Sequence, residues 1–343
     1  MIVSGLRRAT QEKLDHILDE AECYRALALA CEDEARAFRR RCENGSIVSP
    51  AHGAFARTIY WESLNPREKA LHIIRAEAAR HPSWIIRSHC AALIWGLDVP
   101  YPLLNTTSII AARPPRPCII AARRPSPRDE IESVDGIKVT SFWQTVSECL
   151  REAPFSYGLA IADSALRRTN QTRANLMSHL EKTRGYPGIR QARFIASYAD
   201  GRSENGGESR VRAFFIAHGY PIPKLQVDLP NPIEPARPFR VDYYWELSHL
   251  LRIAGEFDGK QKYQDPAMLR DKTIVDSLIE ERQRESRLTL LGIPVLRFTY
   301  EDLSQPARLD RLLKASGITP DRDAAQRWRD QWRAVTHTRC QGA

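Results

Sequence analysis

The sequence predicts an α/β protein with a mainly helical beginning, an α+β middle, and a C-terminal segment in which a mixed sheet is flanked by helices. Three observations carry that expectation. Apolar residues recur at helical spacing between caps, as in NPREKALHIIRAEAARHP, where Asn65 caps, Pro66 takes the first helical position and Glu68 completes a capping box. Short runs rich in β-branched and aromatic residues, FRVDYYW and PVLRFTY among them, read as strands. A loop of glycines and polar residues, YADGRSENGGES, then divides the chain, and the pattern changes after it.

In order, residues 1–62 open with helices over EKLDHILDEA and YRALALACEDEARAFRRRCENG, the second closed by Asn44-Gly45. SIVSPAHGAFARTIYW follows as a small hairpin around Pro50 and Gly53. Helices followed by a two-strand wing describe a winged helix-turn-helix, which crowds Arg36, Arg39, Arg40 and Arg41 beside the wing as nucleic-acid contacts. The same arginines also describe a solvated helix face. Residues 63–200 form the α+β middle: the capped helix, WIIRSHCAALIWGL as a strand leading into a helix capped by Ser88, two apolar runs (TTSIIAA, PCIIAA) around RPPRP, and DGIKVTSFWQTVSECLREA as a strand feeding a helix. Helices over 155–168, 173–183 and 188–199 complete it. Residues 203–316 read as a helix, a strand near Leu225, strands FRVDYYW and LRIAGEFDG, a helix over 268–290, strand PVLRFTY and a helix from Pro306, the order αβββαβα. A polar helical tail occupies 317–343.

Composition narrows the class. At 343 residues, with 43% hydrophobic and 27% charged residues, the chain is long enough for two or three folded domains and is not a disordered one. It holds no run of about 18 apolar residues and no secretory leader pattern, so a cytoplasmic protein without a membrane partner is expected. Its seven cysteines are scattered, with no CxxC pair, and read as reduced thiols and not as a zinc site. The net charge of +9 suits an anionic partner. Residues 203–316 are neutral, with 17 basic and 17 acidic residues, whereas residues 1–202 carry 29 basic against 22 acidic. Electrostatic docking on nucleic acid therefore falls to the N-terminal part.

The chemistry points elsewhere. Asp242 lies among apolar and aromatic residues in FRVDYYW, and Glu256 and Asp258 end LRIAGEFDG. A carboxylate in a buried strand is costly unless it is paired or holds a cation. A turn at 246–249 lets antiparallel neighbours bring Asp242 and Glu256 to one strand end, where magnesium or manganese, two carboxylates and water would make a phosphodiester-hydrolysing arrangement. The plain alternatives are an Asp242 that caps a turn or pairs with Arg240 or Arg252, and a Glu256 and Asp258 that serve as a turn at the hairpin dipeptide Asp258-Gly259. His218 before Gly219 reads as a helix-end residue, and His89 and Cys90 as cap and core.

Read together, GESRVRAFFIAHGYPIPKLQVDLP, FRVDYYW, EFDGKQKY and ERQRESRLTLLGIPVLRFTYEDL resemble a bacterial domain family related to the very-short-patch-repair (Vsr) endonucleases, within the PD-(D/E)xK restriction-endonuclease-like superfamily. The resemblance covers about a third of the chain, with its motifs in the family's order. It implies Asp242 and Glu256 as metal ligands with Asp258 beside them, Glu208 and Gln226 bordering the site, and Lys262 as the cation that stabilises developing phosphorane charge or positions the attacking water. Lys260 competes for that role, because Asp258-Gly259-Lys260 spells D-x-K. The chain departs from the family in carrying Asp258 where a lysine is expected two residues after Glu256. Arg284, Arg287 and Arg297 read either as phosphate contacts or as an ordinary salt-bridged surface, with the surface favoured for Arg287.

The start of the chain, with SHCAALIWGL and VTSFWQTVSECLRE, more distantly resembles AbiEi-type antitoxin and transcriptional-regulator proteins, which implies promoter-DNA binding and raises a toxin or defence-system partner. Two functions follow as expectations: a metal-dependent DNA endonuclease with an N-terminal DNA-binding module, or a non-catalytic DNA-binding regulator carrying an inactive nuclease fold.

Overall fold

A computed structural model describes residues 2–113, 120–259, 286–288 and 290–336. Two compact units divide the chain, Met1–Cys149 and Leu150–Ala343. In the first, α1 (Ile2–Cys23), β1 (Ala28–Leu29), α2 (Glu32–Glu43), β2 (Ile47–Ala51), β3 (Ala54–Arg57) and α3 (Thr58–Ser63) surround a three-stranded antiparallel sheet of order β1-β3-β2. Pro50 sits on the outer strand β2, where a missing ladder donor is tolerated. Phe38 of α2 stacks on Phe55 of β3 at 4.8 Å, with Leu14 and Leu18 of α1 closing the small core. The helix expected over YRALALACEDEARAFRRRCENG is shortened: Ala28 and Leu29 pair with Phe55 and Ala54 as a third strand. Sheet pairing outweighs the helix propensity of alanine and leucine, which is worth only about a few tenths of a kcal/mol per residue.

The rest of the first unit is built on a five-stranded mixed sheet. Its elements are α4 (Pro66–Arg80), β4 (Ile85–Ile86), α5 (Ser88–Ile94), β5 (Thr107–Ile110), β6 (Ile120–Arg123), β7 (Ile131–Val134), β8 (Ile137–Thr140) and α6 (Phe142–Glu152), with strand order β6-β5-β4-β8-β7. The capping box of Asn65 and Glu68 forms as expected. Ser88 is not a cap: it is the first helical residue, and its N–H donates to buried Glu148 Oε2 at 3.0 Å. Arg87 and Arg123 face the other oxygen, so Glu148 is a buried hub of this sheet. Asp135-Gly136, both at positive φ, turn the β7–β8 hairpin.

The second unit carries α7 (Phe155–Thr169), α8 (Arg173–Glu181), α9 (Ile189–Ser197), α10 (Gly206–His218), β9 (Lys224–Leu229), β10 (Phe239–Glu246), β11 (Arg252–Asp258), β12 (Val295–Thr299), α11 (Tyr300–Ser304), α12 (Pro306–Ala315) and α13 (Arg322–Thr336). Its sheet runs β9-β10-β11-β12, antiparallel except that β11 and β12 are parallel. The core between sheet and α10 is aromatic, with Phe215, Tyr243, Trp245 and Phe298 in edge-to-face contact.

The compact units part at 149/150, whereas the glycine-rich loop near 203 was the expected boundary. The physical reason is a buried ion pair: Arg212 of α10 donates to both oxygens of Asp163 in α7, at 2.9 and 2.7 Å, which ties the preceding helices to the sheet. The tail also joins this unit, because Trp328 and Trp332 of α13 pack edge-on against Phe155 of α7. Lys260, Lys262, Arg284 and most of the expected helix over 268–290 lie outside the described residues. Among the described residues, no helix is long and apolar enough to cross a membrane.

Candidate active site

The site forms around an irregular residue of β9, beside β10. Along β9 and β10 the register holds at Val227↔Val241 and Leu225↔Tyr243, but between these pairs Gln226 adopts φ 51, the left-handed region. That conformation costs a non-glycine residue roughly 1–2 kcal/mol and needs surrounding bonds to hold it. Three such bonds exist. Gln226 Nε2 donates to Glu208 Oε2 and to Asp242 Oδ1, each at 3.1 Å, while its Oε1 accepts from Arg240 Nε at 2.8 Å. The arginine, which only donates, fixes the amide so that its NH₂ faces the two carboxylates.

On the other side, β10–β11 pairing runs from Glu246↔Arg252 to Tyr243↔Gly255. Beyond it, the Phe257 N–H donates to Asp242 Oδ2 at 2.8 Å, so the aspartate side chain stands in for a ladder bond. Asp242 is thus gripped from both neighbouring strands.

Glu208 arrives from α10 and is only 3% exposed. Asn205 caps that helix through its Oδ1, which accepts from the N–H groups of Gly207 and Glu208, and its Nδ2 donates to Glu208 Oε1 at 2.6 Å. Glu204 N–H donates to Glu208 Oε2 at 2.7 Å, and Tyr243 OH donates to the Glu208 carbonyl at 2.8 Å. Gly207 lets the helix approach: an added Cβ would lie 2.1 Å from the Phe257 ring. Burial first, and the Asp242 charge second, push the Glu208 carboxyl up to about 8. Glu208 is thus a buried acid of raised proton affinity set beside the partly buried Asp242.

Of the expected residues, the structure brings Glu208, Gln226 and Asp242 into one bonded group. Glu256 precedes Phe257, whose amide holds Asp242, and is in register with Arg297 of β12; Asp258 is in register with Thr299. Arg240 is not Asp242's partner but Gln226's, and it reaches Glu204 at 3.1 Å. Among the described residues, no three His, Cys, Asp or Glu side chains are grouped to hold a metal ion.

In the first unit Arg36, Arg39 and Arg40 are exposed on α2. Arg41 is turned away from such a surface: its guanidinium donates to Gln11 Oε1 of α1 and to the Ala37 carbonyl. Cys90 is buried, and burial pushes its thiol up to about 12, so it is no nucleophile. His218 bonds the Phe214 carbonyl at a helix closed by Gly219 in the left-handed region.

Asn205 and Tyr243 were not legible as site residues. The Asn-Gly-Gly-Glu spacing over 205–208 was the available signal for the first, an N-cap followed three residues later by a glutamate.

No protein-family profile matches the chain, and no solved structure matches it. Two curated relatives are uncharacterized proteins of Mycobacterium tuberculosis, MT2308 from strain CDC 1551 / Oshkosh and Rv2248 from strain ATCC 25618 / H37Rv, each 32% identical over 181 residues. The aligned region is 52% of this chain and spans 61% of the length of those relatives.

Proposed function

We propose that the C-terminal unit is a metal-dependent DNA endonuclease of the restriction-endonuclease-like kind, served by an N-terminal winged-helix module that docks on DNA. The observation that carries this reading is the Glu208–Gln226–Asp242 group, held at the strained Gln226 between paired positions of β9 and β10. It is supported by Glu256 on the adjoining strand β11 and by a parallel fourth strand. Asp242 and Glu256 would hold magnesium or manganese, which supplies Lewis-acid polarisation of a phosphoryl oxygen and a water of lowered pKa. Gln226 orients the Asp242 carboxylate, and Glu208, with its raised proton affinity, holds a proton near neutral pH beside it. Exposed Arg36, Arg39 and Arg40 supply the phosphate contacts.

One observation favours a second reading. Asp258 stands where the resembled family carries a lysine, which adds negative charge where developing phosphorane charge needs a cation. On that reading the protein is a DNA-binding regulator with an inactive nuclease fold.

Magnesium- and manganese-dependent nicking of supercoiled plasmid tests the two. Nicking that disappears in Asp242→Ala and in Glu256→Ala is the result expected of the endonuclease. Salt-sensitive retardation of plasmid without nicking would move the conclusion to the regulator.

A further inference from the structure

We infer that the N-terminal unit carries a binding cleft for a small organic acid with an apolar body. A cleft of about 540 Å³ opens between the β2–β3 hairpin, one face of α4, the start of α5 and the segment before β5. That volume falls within the range of small-molecule sites, which are mostly apolar with a few polar groups that orient the ligand. Ile73, Leu93 and Leu104 form its apolar wall. Water against such a wall is unfavourable, and an apolar occupant releases it.

The charges along α4 set the ligand's chemistry. Lys69, Ile73 and Glu77 recur every four residues, so they share one helix face and span about 12 Å. Lys69 Nζ lies 5.6 Å over the Trp61 ring and makes no ion pair among the described residues. Glu77, by contrast, has His81 Nε2 at 3.8 Å. The cleft therefore offers at one end a cation with an aromatic neighbour but no ion-pair partner among the described residues, and an acid at the other. An anionic head belongs at Lys69, and Glu77 disfavours a second anionic group, so the ligand is a monoacid of roughly the length of that helix face. Pro50, Ala51 and His52 also line the cleft, so occupancy bears on the hairpin. This site is independent of the proposed nuclease chemistry.

Calorimetric titration of the full chain with decanoate, decanol and decyltrimethylammonium tests the inference. Decanoate is expected to bind saturably and at least roughly tenfold more tightly than decanol, with the cation weakest. Lys69→Gln should bring decanoate down to the level of decanol without changing decanol, and Ile73→Trp should remove both by filling the space. Decanoate should also slow amide exchange over residues 47–57 in the wild type and not in Ile73→Trp. Circular dichroism checks that this variant folds, and Leu104→Trp replaces it if it does not. Absent saturable binding, equal affinity for acid and alcohol, or binding unchanged by Lys69→Gln would each overturn the inference.

Discussion

Replacing Glu208 by glutamine probes the buried acid on which the site turns. Three donors point at this carboxylate, from Glu204 N–H, Asn205 Nδ2 and Gln226 Nε2. These bonds favour the ionised form, yet burial and the Asp242 charge outweigh them and raise its proton affinity to about 8 from a usual 4.5. A group whose folded-state pKa is raised contributes stability that is fully present below its unfolded value and is lost as pH rises through the folded one. Glu208 should therefore withdraw stability between about pH 4.5 and 8, in total on the order of 5 kcal/mol. Glutamine does not titrate, but it sets an NH₂ group against one of the three donors, a loss of about 1–2 kcal/mol. Denaturant unfolding at pH 5, 6, 7, 8 and 9 reads the difference between wild type and variant, in which all shared titrations cancel. The wild type is expected to be the more stable protein at pH 5 and the less stable one at pH 9. Unfolding free energies that run parallel across the range would refute the electrostatic account of the site.

Further outcomes follow from other contacts. Asp163→Asn leaves the buried Arg212 guanidinium without its anion and should cost about 3–5 kcal/mol by equilibrium unfolding. Gly207→Ala drives a methyl group into the Phe257 ring and should cost about 1–3 kcal/mol while displacing Glu208 from Gln226, visible as a flatter pH dependence of stability. Substituting Arg36, Arg39 and Arg40 together by alanine should reduce the slope of log affinity for duplex DNA against log salt by up to about 3, whereas Arg41→Ala should leave that slope unchanged and lower stability.

Much of the second unit was legible because its pattern is local. The FRVDYYW and LRIAGEFDG strands, the α10 helix with Gly219 at its end, and the strand at PVLRFTY follow from period and punctuation, which a window of a few residues carries. Asp242 was legible as costly for the same reason: a carboxylate between apolar neighbours needs a partner. Its partner was not. Arg240 and Arg252 are near in sequence, but Gln226 and the Phe257 amide hold the side chain, because the two adjoining strands bring their groups across the sheet. The strand at Ala28–Leu29 is not legible locally, because those residues favour a helix in isolation and only the β3 edge makes them a strand.

By itself, then, the sequence determined strongly patterned elements such as α4, α10, β10 and β11, where the polar residues of the candidate site lie along the chain, and that the positive surplus falls in residues 1–202. The tertiary structure alone decided which of them meet. The Arg212–Asp163 pair assigns residues 150–202 to the sheet-bearing unit, Arg41 faces α1 while Arg36, Arg39 and Arg40 stay exposed, and Glu208 becomes a proton-holding acid. Each of these outcomes depends on burial and on distances between residues far apart in the chain, quantities that no local pattern encodes.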